Sequence, residues 1–488
     1  MLTHHSIGRN IFLSSLGGIL LIAFLSYWIQ FEQLSGDNGL LPVADFMQRL
    51  TDFGGQSYFT YPTFSWINSA DWLVHLQCAL GIVFALLIII RKWSKLALMF
   101  TWLLYLSLVI VGQVFYNFQW DILLLETALC SVLVCFGLAE KKKIPDLGLW
   151  LLWLLLFKLL FLSGVVKLRS GDESWWNGTA LTFHYFSQPL PNAFSYYFHH
   201  LPEWVHKLSC WVMFAIELFI PFLIILGGAF KYFKGTKNLG RALHLLVVFS
   251  TILLMLVIFF SGNYNFFNLL VIALCFLLID NGQWQWILAK KKSLPPLEKA
   301  SMPSRILVTA LAICILVFSA WQMRNEIKGY PKLGAKTQKL VSSISAFRSI
   351  NSYGLFRVMT RTRPEIIFEG SNDKITWQEY ELKNKINNPV KAPPFVAPHQ
   401  PRFEWQMWFA ALGTIQYNQW VYTYMKRIME GSEKHEKLLR VNPFPEEPPK
   451  YMRALMYDYR FAENGEAWWS RTYARPYSIE LSLADYPD

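Results

Sequence analysis

The sequence predicts a polytopic α-helical membrane protein of about nine spans, followed by an extracytoplasmic mixed α/β domain that contains β-hairpins. Three observations carry this. Of 488 residues, 54% are hydrophobic and only 16% charged, whereas soluble domains carry about 25% charged residues. Up to about Ala320, long apolar runs alternate with short basic loops. Beyond that point the composition becomes that of a water-soluble protein rich in Trp, Tyr, Pro and Arg. The expected division is therefore residues 1–321 for the membrane domain and 322–488 for the outer domain.

A helix needs roughly 20 apolar residues to cross the hydrocarbon core. The runs that approach this length are Ile11–Trp28, Leu73–Ile90, Leu96–Gly112, Asp121–Leu138, Leu149–Val166, Lys207–Leu226, Ala242–Phe260, Asn265–Ile279 and Ile306–Trp321. The first lacks a small-residue cleavage site after it and reads as a retained span, not a signal peptide. With the N-terminus inside, the cytoplasmic loops contain Arg9, Arg91, Lys92, Lys95, Lys141 to Lys143, Lys231, Lys234, Lys237, Arg241, Lys290 to Lys292, Lys299 and Arg305, sixteen basic residues. The outer loops contain four: Arg49, Lys167, Arg169 and Lys207. The positive-inside rule then places the N-terminus in the cytoplasm and everything after Trp321 outside. Two outer loops, 31–72 and 167–206, are too long for simple turns; loops of this size pack on the membrane face or line a site.

The net charge of +12 sits largely in these short loops, so it is a topology signal and not a nucleic-acid footprint. The six cysteines (Cys78, Cys130, Cys135, Cys210, Cys275 and Cys314) all fall in or beside apolar runs. That excludes a disulfide framework or cysteine-based zinc site in the outer domain. His199, His200 and His206 lack further ligands of the right type, so no metal is expected.

Ionisable groups inside a bilayer are costly and point to function or to packing pairs. Lys158 and Glu217 each lie about ten residues into adjacent antiparallel spans, which predicts an ion pair. A second polar group gathers at the outer mouth: Asp121, Glu126, Lys167 and His184. A lysine desolvated beside aromatic rings can serve as a base; one at a helix end can equally snorkel to the headgroups.

In the outer domain, Glu365–Glu369 and Ile375–Leu382 flank a Gly/Asn/Asp turn and predict a hairpin. Phe403–Leu412 and Asn418–Met429 read as helices, and Tyr451–Phe461 and Trp468–Pro476 as strands. Pro393–Pro401 and Val441–Pro449 are extended links. No nucleophile elbow, phosphate loop or HExxH is present. Trp, Tyr and Arg are the residue types enriched in binding hot spots, although a small mixed core would contain them too.

The motifs Asn351-Ser-Tyr-Gly-Leu-Phe356, Arg363-Pro-Glu-Ile-Ile-Phe-Glu-Gly-Ser371, Trp377-Gln-Glu-Tyr-Glu381, Ala397-Pro-His-Gln-Pro-Arg402 and Trp405-Gln-Met-Trp-Phe-Ala-Ala-Leu-Gly413 follow one another here. With Asp37–Pro42, Phe118–Glu126 and Phe183–Pro189, they resemble the lipase maturation factor family over nearly the whole chain. The resemblance implies a membrane protein that assists folding and assembly of secreted lipases or related exported clients. In animals that membrane is the endoplasmic reticulum; a compact bacterial homologue in the inner membrane fits this chain better. It also implies client binding by the outer domain, for which Trp377, His399, Arg402, Trp405 and Trp408 are the candidates. Asn177-Gly-Thr179 is a formal glycosylation sequon on an outer loop.

A shorter stretch, Gly164-Val-Val-Lys-Leu168 followed by Trp175, Trp176 and Gly178, is similar to a segment of the vitamin K-dependent carboxylase family. That similarity implies an alternative: a membrane enzyme with Lys167 as catalytic base, supported by Asp121, Glu126 and His184, acting on a lipophilic substrate. Neither reading names a cofactor; a lipid or quinone-like molecule is the candidate ligand, with membrane lipids and the client protein as partners.

Overall fold

The structure, a computed structural model, describes residues 6–54, 57–136, 147–231, 233, 235–288, 302–463, 465 and 467–486. Lys141 to Lys143, Lys234, Lys290 to Lys292 and Lys299, counted above as inside charges, lie outside the described residues.

The bundle opens with α1 (Ser6–Trp28), α2 (Phe31–Leu34), α3 (Val43–Gly54), α4 (Asp71–Ile89), α5 (Ser94–Val111), α6 (Gln119–Phe136) and α7 (Leu147–Arg169). Three short helices fold the second long loop: α8 (Glu173–Trp176), α9 (Ala180–Ser187) and α10 (Ala193–His199). Then come α11 (Glu203–Leu218), α12 (Phe222–Phe230), α13 (Lys237–Ser261), α14 (Phe267–Cys275), α15 (Asn281–Ile287) and α16 (Met302–Lys328). Six helices, α1, α4, α5, α7, α13 and α16, are long and apolar enough to cross a bilayer. The number rises to eight if the bent pairs α11/α12 and α14/α15 each count as one span. The first pair bends by 45° just before Pro221, which cannot donate a backbone N–H to a continuous helix. Helix α6 is outside this set and packs between α5 and α7. Helix α16 runs through residue 321 without a break and ends at Lys328.

After α17 (Ala335–Ser345) the chain builds a four-stranded antiparallel sheet of order β2-β1-β5-β6, from β1 (Pro364–Ser371), β2 (Gln378–Glu379), β5 (Tyr451–Phe461) and β6 (Trp469–Pro476). A small second sheet pairs β3 (Glu381–Leu382) with β4 (Leu439–Val441). Helices α18 (Arg402–Ala411), α19 (Trp420–Met429) and α20 (Glu433–Glu436) lie between β3 and β4 in sequence. The predicted hairpin is present as β1/β2, but its second strand, expected over Ile375–Leu382, is cut to Gln378–Glu379, with Glu381–Leu382 pairing instead in the second sheet; the other predicted helices and strands appear within two residues of their expected bounds. The pairing of β1 with β5, eighty residues away in sequence, was not legible locally.

Strand alternation splits β1 into two faces. Ile366 and Phe368 pack on Phe403, Met407, Tyr424 and Met425 of α18 and α19. Ile367 points the other way, toward Tyr459 and Trp469. Both layers continue into the membrane domain's loops. Leu34, Leu40 and Phe115 complete the first core, and Tyr185 and Phe186 complete the second. The C-terminal domain is thus seated on one end of the bundle.

Candidate functional site

Three buried acids of the bundle each find a separate cation, and two of these pairs knit the domains together. Asp121 at the start of α6 accepts both guanidinium arms of Arg402, at 2.8 and 3.0 Å, and the Tyr105 hydroxyl at 2.6 Å. The Arg402 guanidinium also lies 3.7 Å from the Tyr116 ring centroid, and neither Asp121 nor Arg402 is solvent-exposed. Glu126 pairs with Lys158 and accepts the Asn351 N–H at 2.9 Å and the Tyr353 hydroxyl at 2.7 Å. Lys167 donates to both oxygens of Glu217 at 2.7 Å and lies 5.4 Å from the Trp175 ring.

These pairings correct the expected Lys158–Glu217 contact and divide the expected outer-mouth cluster. Nine residues separate Lys158 from Lys167, about two and a half turns of helix, so they leave α7 on opposite faces. One face meets α6 and α16; the other meets α11. Depth along a helix does not carry this angle. Glu217 reaches Lys167 because α7 and α11 approach closely at Gly164, where a Cβ would stand 2.7 Å from Leu218 Cδ2 and 3.1 Å from Glu217 Cβ. Gly354, at φ +153°, lets the segment after α17 lie against Val166 of α7.

The candidate client-contacting residues divide likewise. Arg402, Trp405 and Trp408 are buried in the joint; Trp405 meets Trp120 edge-on at 4.6 Å and Trp408 donates to the Ser187 carbonyl at 2.8 Å. His399 Nδ1 sits 3.0 Å from Ser26 Oγ of α1. Burial and the nearby Arg402 charge push its imidazole down to about 4. Their aromatic and charged character serves docking between the two domains; Arg402, Trp405 and Trp408 are buried there, and His399 is half-buried. Trp377 alone of the five lies outside the joint, half-buried just before β2, with the Arg453 guanidinium 4.1 Å from its ring centroid. Arg363 was missed as a joint residue. It is fully buried and donates to the Phe186 and Pro189 carbonyls at 2.8 and 3.0 Å. A lone arginine before a strand carries no signal of this.

Lys167 and Glu217 line a cavity of about 140 Å³. Its walls are mostly aliphatic and aromatic: Leu159 and Leu160 of α7, Met213 of α11, Leu254, Met255 and Ile258 of α13, and Phe267 and Phe356. His184, Gln119 and Tyr264 join at the polar end. Asp121 and Glu126 do not line this cavity. Gln188 Nε2 donates to the Tyr185 and Ser261 carbonyls, which fixes its Oε1 as the acceptor of the Tyr264 hydroxyl at 2.6 Å. His184 Nε2, 3.1 Å from that hydroxyl, must then be the donor. Burial and the Lys167 charge push the His184 imidazole down to about 3, so it is neutral with a bare Nδ1. No group of three or more metal-ligating side chains occurs among the described residues.

Residues 7–286 match the lipase maturation factor transmembrane domain, and residues 349–479 match the lipase maturation factor C-terminal domain. The chain belongs to the lipase maturation factor family. It is 31% identical to lipase maturation factor 2 of Rattus norvegicus and of Homo sapiens, with 98% of this chain and 83% of each relative covered. It is 28% identical to lipase maturation factor 1 of Mus musculus, covering 98% of this chain and 87% of the relative. No solved structure matches. The joint described above pairs residues of the first matched region with residues of the second, as Asp121 with Arg402.

Proposed function

We propose that this family member assists maturation of a secreted lipase or related exported client, presenting its outer domain to the client from the extracytoplasmic side. The observation that carries this is similarity to lipase maturation factors along 98% of the chain, spanning both the bundle and the docked domain. The alternative base chemistry gains no support from the geometry, because Glu217 holds the Lys167 ammonium with both oxygens. Client contact then falls to the exposed sheet face and edge, with Trp377, Tyr473 and the arginines between them as candidates.

The nine-span reading counts each bent pair as one span and adds α6. Its support is geometric. The joint uses Ser26 in the last turn of one span and Gln30 just beyond it, Asp121 in the first turn of another, and Phe186 to Pro189 and Asn263 in two connecting segments. All belong to the side that the basic loops assign to the outside. The membrane on this reading is the bacterial inner membrane, or the endoplasmic reticulum in a eukaryotic source. The test is co-expression of a secreted lipase with the intact protein or with Trp377→Ala/Tyr473→Ala, scoring lipase activity per unit of secreted enzyme. We expect the intact protein to raise this ratio and the double variant to lower it without loss of the membrane protein. An unchanged ratio with and without the intact protein overturns the proposal.

A further inference from the structure

The cavity beside Lys167 lies apart from the sheet face to which client contact is assigned above. Its apolar walls run from the Lys167 level down to Leu159 on α7 and from Ser261 down to Leu254 on α13, a length of about 10 Å. Val257, which lines the cavity, is 40% exposed on the same apolar surface as Leu253, Leu256 and Phe260. The mouth therefore opens between α11 and α13 toward the bilayer. A preformed apolar cavity of this size stays dry and takes an apolar group.

The polar end selects the head. Lys167 and Glu217 cancel each other, so a charged head would bring an uncompensated charge into a low-dielectric site. Two buried polar atoms of lining residues have no hydrogen-bond partner among the described residues: His184 Nδ1 and Gln119 Nε2. The first is an acceptor, as the tautomer above requires. The second is a donor, because Gln119 Oε1 accepts the Gly354 N–H at 2.9 Å. A hydroxyl supplies both complements at once. A quinone carbonyl or a simple ester offers acceptors alone and leaves His184 unmet, a cost that buried polar atoms do not usually bear.

We infer that this cavity binds a neutral, hydroxyl-bearing membrane amphiphile, with its chain between α7, α11 and α13 and its hydroxyl between Gln119 and His184. The inference rests on the cavity alone and stands or falls separately from lipase maturation.

The test uses the full chain in phosphatidylcholine nanodiscs, photolabelled with a diazirine-bearing monoacylglycerol. Label should map to cavity-facing peptides of α7, α11 and α13. Unlabelled 1-oleoylglycerol should displace it about tenfold more effectively than methyl oleate or oleate, the loss expected for one buried hydrogen bond or one uncompensated charge. Ile258→Trp, which fills the cavity, should abolish the label, whereas Phe249→Trp on the lipid-facing side should leave it unchanged. His184→Phe should erase the preference for 1-oleoylglycerol over methyl oleate. Equal competition by methyl oleate in the unaltered protein would overturn the inference, and that comparison needs no variant to fold. Label spread evenly over lipid-facing helices would overturn it as well.

Discussion

At the scale of single residues, the bundle is governed by three carboxylates out of reach of water. Each has one cation, and removing that cation strands a buried charge. Breaking a buried pair in this way costs about 3–5 kcal/mol, whereas replacing both partners by apolar groups is close to neutral. Arg402→Met should therefore lower the unfolding temperature of the purified protein sharply, and Asp121→Leu/Arg402→Met should recover most of the loss; detergent-solubilised thermal unfolding reads both. His435 gives a pH signature. It is fully buried, its Nε2 donates to the Gln33 carbonyl at 3.1 Å, and its Nδ1 accepts from Ser432. Burial pushes its pKa down to about 4, below the unfolded value of about 6.5. The unfolded chain thus takes the proton first as pH falls. The stability is whole above about 6.5 and is lost progressively toward about 4. Glu404, raised by burial, acts with the opposite sign, so the informative quantity is a difference: the fall in melting temperature from pH 7 to 5 should be shallower in His435→Gln than in the unaltered protein.

The charges themselves were legible in the sequence, because an ionisable side chain in an apolar run stands out. Their partners were not. Pairing depends on the angle at which a side chain leaves its helix and on how far one helix slides past the next. Neither is written in residue counts from a loop. Lys158 and Lys167 are the case in point.

At the scale of elements, close approach of α7 and α11 is what brings Glu217 to Lys167. Gly164→Val would place new atoms against Leu218 and Glu217, an overpacking that costs about 1–3 kcal/mol. It should also separate the ion pair. Lys167→Met should then cost less in the Gly164→Val background than alone, and a thermodynamic cycle of the four proteins measures this coupling. Helix positions were readable from apolar runs and strands from β-branched and aromatic runs. The break at Pro221 has a local cause that the continuous apolar run masks; the junction of β1 with β5 and the docking role of α18 were not readable, since each is set by contacts far away in sequence.

At the scale of the whole molecule, bundle and outer domain share their polar joint and parts of their cores. The C-terminal domain is accordingly no detachable module. Ending the chain after Gly329 removes Arg402 from Asp121 and Asn351 and Tyr353 from Glu126, so the truncated bundle should accumulate poorly in membranes; immunoblotting against the full chain checks this. A bundle that accumulates normally would show that the joint is dispensable. The family motifs were correctly legible as a signature, yet several of them mark this joint and not a surface for partners. Arg402 and Trp408 stood out as hot-spot types because desolvated arginine and tryptophan look alike in sequence, whether they face a partner or a neighbouring domain.

The most direct measurement is the specific activity of a secreted lipase, expressed in cells that contain or lack this protein. The account predicts a higher active fraction at equal secreted mass when the protein is present, with the gain lost in Arg402→Met. An active fraction indifferent to the protein's presence would contradict it.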